Sequence, residues 1–588
     1  MIFPTEPDDL RNAVVYLIDR CMSTREDRDR LYTWREQYYL FGTSGYMQSR
    51  YNRLESHLDL VSSFLYAPDG AFFNIAAQNS QDDLEVSRAK ALQMEFNDDF
   101  QEAGITDAIM QSVPYSLVYD AMHTKQGWHR ETKQWFCELI SPKNFGVYRE
   151  DISDLDKQSC FCHSYMIEYQ DAVLKLIRAG MRDDIYKLKT TRSSEISPFP
   201  EMLQRMIIAG TGGSNLSGTV FGQVNPDYNP TTNYNPKTEV PLVRFNELWA
   251  WDDTTVDYRV FHMIEPDILL YDSKAYIEAY DDATEKGNIL LFKAAKNLNR
   301  PPSRSNPFLP GDHPFAKIQP YQKFNYYWGK AHIDALIPLQ EWMLERLDQI
   351  ADILEQQADP PKTGFGLIGL SEETMAAWGG AGTYMMDAFP NAKVERHAPT
   401  MPEDLFAEYR EIATLFLEAS GLTEIISGKG EQGVRSRSHA RELKKSGGGR
   451  IIKAALAIEP ALTKIGDIGL KLKMANDDEK ITAYSSDGKP FDFFSAQVGN
   501  VKLKISGHEH SPLFADATRE LAVAMLKMDV IDKEMFVIMM RPPGMNNILH
   551  SIRERAKKEA EMIRAHPELA QAMLGKRSQQ RRGQHGGR

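Results

Sequence analysis

Apolar and polar positions are most informative between Met401 and Asn476, where two helical series flank a stretch with no apolar side chain. Leu405, Phe406, Tyr409, Ile412, Ala413, Phe416 and Leu417 recur at helical spacing. Pro402, Glu403 and Asp404 suit a first turn, and Gly421 suits a helix end. Ser427 to Gly433 then holds three glycines in seven residues and nothing to bury, so an exposed, mobile loop is expected. A longer helix is expected next, basic in its first part. From Lys429 to Lys453 there are eight basic residues against Glu431 and Glu442. Ile451, Ala455, Ile458, Leu462, Ile465 and Leu472 continue the apolar series. The stretch reads as a flexible loop carried on rigid supports.

Upstream, Thr5 to about Tyr66 predicts helices, with Leu10, Val14, Leu17, Ile18 and Cys21 on one apolar face and Leu54, Leu58, Val61 and Leu65 on another. A strand is expected at Ala71–Ile75, two helices from Asp82 to about His123, and a hairpin through Thr132-Lys133 within Trp128–Tyr148. Cys160–Ile167 reads as a strand and Asp171–Ala179 as a helix. Thr190 to Lys237, rich in Ser, Gly, Pro, Asn and Thr, reads as an irregular excursion. Strands return from Val240 to Tyr271, with a hairpin turning at Asp252-Asp253. Pro301–Pro320 reads as a linker, and a long helix is expected from Ala331 to Ala358. Its apolar positions are Leu336, Met343 and Ile350 with Leu347 and Leu354, and much of the remainder is acidic. Asp359-Pro360-Pro361 stops it. Lys362–Pro399 is Gly-rich, with strands expected at Gly364–Ile368 and Lys393–His397.

At 588 residues the chain exceeds one core and predicts two or more modules. Four cysteines give no disulfide framework and point to a reducing compartment. No apolar run reaches membrane-spanning length, and Met1–Glu6 lacks the pattern of a signal peptide, so a product assembled in the cytosol is expected. The net charge of −13 argues against general coating of nucleic acid, yet leaves room for a small basic surface.

The order of parts in the middle of the chain resembles the portal proteins of tailed bacteriophages and related viruses. The resemblance rests on Trp328-Gly329-Lys330 through Ala358, Lys362 to Pro399, Pro402 to Ser420, the Ser-Gly-Leu-Thr-Glu-Ile-Ile phrase ending at Ile426, Ser427 to Ser436, and the long helix from Arg437 onward. It covers roughly Thr5 to Ala570 as an order of elements, without any invariant motif. It implies an α+β, mostly helical chain of portal-type architecture, divided into a wing (1–330, with the excursion at 190–240), a first stem helix (331–358), a clip (359–400) and a second stem helix (401–425). A tunnel loop (426–436), a tunnel helix with wing-closing strands at Ile481–Tyr484 and Val501–Ile505 (437–510), a helical crown (511–575) and a basic disordered tail (576–588) complete it.

The resemblance further implies a non-enzymatic ring, normally of twelve copies, at one capsid vertex of a virion assembled in the host cytoplasm. Double-stranded DNA would pass along its axis. Its partners would be copies of itself, the terminase motor, the major capsid protein, scaffold and tail adaptor, with no membrane and no cofactor. Tunnel-loop residues Lys429, Glu431, Gln432, Arg435 and Arg437 would face the channel, followed by Arg441, Lys444, Lys445, Arg450 and Lys453 of the basic helix. Lys362, Phe365, Trp378 and Tyr384 would form the clip's docking surface. Repetition of the basic loop around a ring would give a collar able to touch phosphates, above acidic walls that repel DNA. The bland reading, a solvated face of an ordinary helix and loop, stands beside it. For the tail from Lys576 to Arg582, DNA contact and plain solubilisation both remain open.

Other classes leave weaker traces. Cys160-Phe161-Cys162-His163 puts two thiols on one strand face, but no second ligand pair follows at zinc spacing. His508-Glu509-His510 lacks the helical spacing of a hydrolytic zinc site. Every Gly-Lys pair is followed by Ala331, Gly430, Pro490 or Arg577, so no Walker motif exists. Asp252-Asp253 and Asp98-Asp99 would suit a metal-dependent nuclease that uses the basic helix for DNA, although paired acids are common at turns. A virion adaptor or scaffold without a channel is a further alternative.

Overall fold

The computed structural model describes residues 1–42, 51–66, 73–78, 82–129, 132–192, 241–255, 257–275, 313–358, 362–368, 387–396, 399–421, 449–477, 479–484, 490–498, 501–505, 515–528, 531, 533–540, 548 and 551–552. Helix and strand are both present in quantity, an α+β chain. It clusters into two compact units: Met1–Leu65 with Asp107–Asn476, and Tyr66–Thr106 with Asp477–Arg588.

The first unit opens with three helices, α1 (Pro7–Cys21), α2 (Arg25–Phe41) and α3 (Arg53–Leu65). α1 starts with Pro7, Asp8 and Asp9 and ends beside Arg20, so its charges complement the helix dipole. The apolar faces expected on α1 and α3 are the buried ones.

Two antiparallel sheets form the β part of this unit. The smaller joins β2 (Met122–His129), β3 (Gln134–Ile140) and β10 (Phe315–Ile318) in the order β10-β2-β3. The larger runs β4 (Phe145–Val147), β5 (Cys160–Glu168), β7 (Pro241–Asp252), β8 (Asp257–Ile264) and β9 (Ile268–Asp272), with β6 (Thr191–Arg192) paired to β7. Alternation along these strands divides two cores. Cys160, Cys162, Leu248, Ala250 and Phe261 pack under α1. Phe161, Trp249, Tyr258 and Val260 pack instead with Phe315, Tyr327 and Trp328. α6 (Tyr169–Arg178) covers Val243, Phe245 and Ile264 through Ala172 and Leu176.

Three boundaries differ from the sequence reading. The helix expected to reach His123 is α5 (Ile105–Tyr119); Asp120, at φ 85°, breaks it and β2 begins at Met122. The end of the expected linker is strand β10, whose Phe315 and Ile318 are buried. The long helix is regular only from Ile337 to Ala358 (α7), after a 3-10 turn at Ile333–Ala335. Pro338 disfavours helical backbone at the residue before it, so regular helix cannot extend far upstream.

Beyond α7 come β11 (Lys362–Ile368) and β12 (Asp387–Arg396), an antiparallel pair, then α8 (Glu403–Ser420) and the 28-residue α9 (Gly449–Asn476). α9 lies on the smaller sheet, and Gly469 lets it approach closely: a Cβ there would sit 2.3 Å from the Trp135 ring.

In the second unit, β1 (Phe73–Ala77) pairs with β15 (Val501–Ile505), and β13 (Lys480–Tyr484) with β14 (Pro490–Phe494). α4 (Asp83–Glu102) packs on β1: Asn97 accepts from the Phe73 amide at 2.8 Å and donates to its carbonyl at 3.0 Å. α10 (Ala515–Lys527) and α11 (Lys533–Met540) follow. The strands expected to close the wing are thus β13 and β15, each paired within this unit. Among the described residues, no helix is long and apolar enough to cross a membrane.

Candidate functional site

The parts of the expected functional region that the structure describes are α7, the β11–β12 pair, α8 and α9. α7 and α8 are antiparallel: Arg346 Nη2 meets Glu408 Oε1 at 3.0 Å, and further along Gln357 Nε2 donates to the Pro399 carbonyl at 2.9 Å. The β11–β12 pair therefore caps the far end of a helical hairpin. Met343 and Ile350 of α7 and Ile412 and Phe416 of α8 are buried, matching the apolar spacing read from the sequence. Leu354 differs from expectation, since it is 50% exposed, as is Phe406 at 46%; Trp342 and Leu415 are also open to solvent. Among the described residues, two antiparallel helices have too few neighbours to cover every side of each.

The near end of the hairpin is anchored by polar and aromatic residues. Arg35 of α2 holds Asp334 through two 2.7 Å hydrogen bonds, a bidentate pair that fixes the start of α7. Tyr38 of the same helix donates to Glu341. Below α8, the His57 ring meets Phe416 edge-on at 5.3 Å and stacks with His332 at 6.1 Å, while Arg53 lies over Phe416 at 5.0 Å. Burial, with Arg53 beside it, lowers His57 to about 4. Burial together with His57, Arg450 and Lys330 lowers His332 to about 3. Both imidazoles are therefore neutral at physiological pH and add no charge beside Arg53 and Arg450.

Trp328 and Gly329 are fixed just upstream of α7. Arg28 sits 3.9 Å over the Trp328 ring, and Trp328 Nε1 donates to Glu150 at 2.9 Å, a carboxylate that also accepts from Thr24 at 2.6 Å. A side chain at Gly329 would meet the Tyr321 carbonyl at 2.5 Å.

Of the expected channel residues, Lys429, Glu431, Gln432, Arg435, Arg437, Arg441, Lys444 and Lys445 lie outside the described residues, as do Trp378 and Tyr384. Lys362 is on β11 and Phe365 of the same strand is exposed. Lys453 is exposed on α9. Arg450 has a use that the basic pattern did not disclose: its Nη1 donates to the Ala419 carbonyl at 2.7 Å, capping α8.

The residues weighed for metal or nuclease chemistry have structural occupations where they are described. Cys160 and Cys162 are buried under α1, with Cys21 Sγ 3.7 Å from Cys160 Sγ. Asp252 accepts from Thr254 at the hairpin turn and pairs with Arg259 at 3.3 Å. Asp98 and Asp99 are on α4. Among the described residues, no group of three or more His, Cys, Asp or Glu is placed to hold a metal. His508-Glu509-His510 lies outside them.

One electrostatic element escaped the sequence reading. His163, Glu247 and His262 face one another across β5, β7 and β8, and Lys125 of β2 reaches Glu247 at 2.5 Å. Burial alone would raise Glu247, but Lys125, with His262 and His163, holds it at about 2. The pair ties the two sheets together. Its only trace in the sequence is a glutamate inside a strongly apolar strand, and nothing local identifies the partner. No protein-family model matches the chain, and no curated protein does.

Proposed function

We propose that this chain is a viral portal protein: a non-enzymatic ring at one capsid vertex through which double-stranded DNA is packaged and ejected. The single observation that carries the reading is the order α7, β11–β12, antiparallel α8, Gly421 and α9. Between Gly421 and α9 the sequence holds the glycine-rich, basic stretch that would supply the tunnel loop. In this reading α7 and α8 are the stem, β11–β12 belongs to the clip, and the sheets with α1 to α3 belong to the wing.

Two properties of the stem support it. Leu354, Phe406 and Leu415 are apolar surface that a neighbouring copy would cover, as closed rings require of their subunits. Glu345, Asp352 and Glu355 of α7 and Glu411 and Glu418 of α8 are exposed acids, suited to a wall that does not retain DNA. The terminase motor and later a tail adaptor would dock on the clip, and the major capsid protein and scaffold would surround the ring in the virion.

The test is the solution mass of the purified protein, followed by negative-stain images of the heaviest species. A ring near twelve times 66.9 kDa with a central hole is expected. Leu354→Asp should lower the mass while leaving the circular dichroism of the chain unchanged. A protein that stays monomeric with capsid and scaffold proteins present, or that cuts DNA with added Mg²⁺, would overturn the reading.

A further inference from the structure

α1 covers the Cys160, Cys162, Leu248 and Ala250 side of the large sheet, but that sheet face continues past the helix end. Ser164, Asn246 and Met263 form one row across β5, β7 and β8, and Arg244 lies one pleat further along β7 on the same face. The last turns of α1 (Val15, Ile18, Asp19), Met22 and Arg25 at the start of α2 border this row without filling the space over it. A cavity of about 160 Å³ remains there, with Ile18, Met263 and Pro266 contributing apolar wall.

The polar lining is unusual for a gap in packing. Arg25 and Arg244 both face it. Among the described residues Arg25 bonds through Nε alone, to Asp29 at 3.3 Å. Arg244 donates to Ser164 Oγ at 3.2 Å and has Glu265 at 3.5 Å. Burial, and Arg25 beside it, push Arg244 below its usual range. Asn246 is only 6% exposed, and its Oδ1 has no hydrogen-bond partner. A buried acceptor left unpaired is destabilising, and a ligand donor would remove that cost.

We infer that this cavity binds a carboxylate carried beside an N–H donor and a short apolar group, the chemistry shared by an amino acid and a peptide C-terminus. The two guanidiniums and the Ser164 hydroxyl call for an oxyanion, and a guanidinium fork matches a carboxylate. The unpaired Asn246 Oδ1 calls for a donor on the same ligand, and Ile18, Met263 and Pro266 accept an apolar side chain. Phosphate fits less well, because its larger negative charge meets Asp19 and Glu265, which also line the cavity, less favourably than a single carboxylate does, and it has no apolar group for Ile18, Met263 and Pro266. The site is independent of the portal reading, since it lies in the sheet and first helices rather than in α7 to α9.

The test is calorimetry of the full-length protein with N-acetyl-leucine, leucine, N-acetyl-leucinamide and inorganic phosphate. Saturable binding of either acid, with none of the amide and weaker binding of phosphate, is expected. Preference for N-acetyl-leucine over leucine would assign the site to peptide C-termini, and the reverse to free amino acids. Asn246→Leu and Ser164→Ala should each weaken binding severalfold, and Arg244→Met about tenfold or more; unliganded melting curves establish that each variant is folded. Equal response to acid and amide, or no saturable response to either acid, would overturn the inference.

Discussion

Arg450 and Gly421 meet where α9 begins and α8 ends. Gly421 has a φ of 77° and receives the last turn of α8, and the Arg450 side chain lies directly over it, 3.2 Å from where a Cβ would stand. Gly421→Ala should therefore lose roughly 1–2 kcal/mol, the cost of left-handed backbone for an L-residue. Chemical denaturation measures it. Gly421→Asn should lose less, because asparagine tolerates this conformation better.

Gly469 makes the comparable test for α9. Its Cβ would overlap the Trp135 ring, so Gly469→Ala should cost about 1–3 kcal/mol by overpacking. Combining it with Trp135→Leu should recover part of that loss, which a double-mutant cycle would detect. Simple additivity would contradict the packing account.

For the Lys125–Glu247 pair, Lys125→Met should cost about 3–5 kcal/mol by leaving a buried carboxylate uncompensated. The double variant Lys125→Met with Glu247→Gln should be more stable than Lys125→Met alone. A double variant as unstable as the single would show that the charge is not the cause.

Acid should destabilise the first unit in a defined window. His57 and His163 are lowered by burial from 6.5 to about 4, and His332 to about 3. Below 6.5 the unfolded chain takes up these protons before the folded one does, so stability falls as the pH drops from about 6.5 toward 4. Asp120, raised by burial from 3.8 to about 7 against its Arg35 partner, acts in the opposite sense and loses its contribution as pH rises through about 7. Three imidazoles outweigh one carboxyl. Glu247 adds stability above its ordinary 4.5 that disappears as pH falls through about 2. Urea midpoints at pH 7 and pH 4.5 should differ, lower in acid, and His332→Leu should reduce the difference.

The sequence between Gly421 and α9, which the portal reading makes the tunnel loop, supplies a functional prediction. Deleting Gly428 to Gly433 should leave ring mass unchanged and impair DNA retention or packaging in an assembly reaction. Loss of the ring itself would make this stretch an interface between subunits.

Periodicity by itself determined α1, α3, α7, α8 and the second part of α9, because each repeats apolar residues on one face. It also determined the β7–β8 hairpin, where apolar runs meet at Asp252-Asp253, and the end of α8, because Gly421 adopts left-handed backbone at little cost. These signals are local. Strand β10 was hidden, since its four residues follow prolines and acquire meaning only by pairing with β2. The exposed side of Leu354 was hidden too: a heptad position shows that a residue is apolar, not that a partner is present to cover it. Tertiary structure alone decided which strands pair, that Lys125 neutralises Glu247 from another sheet, that Arg450 serves as a helix cap, and that Arg25 and Arg244 share one cavity. The physical reason is common to all four. A hydrogen bond or ion pair between residues distant in sequence depends on where the backbone brings them, and no spacing along the chain records that.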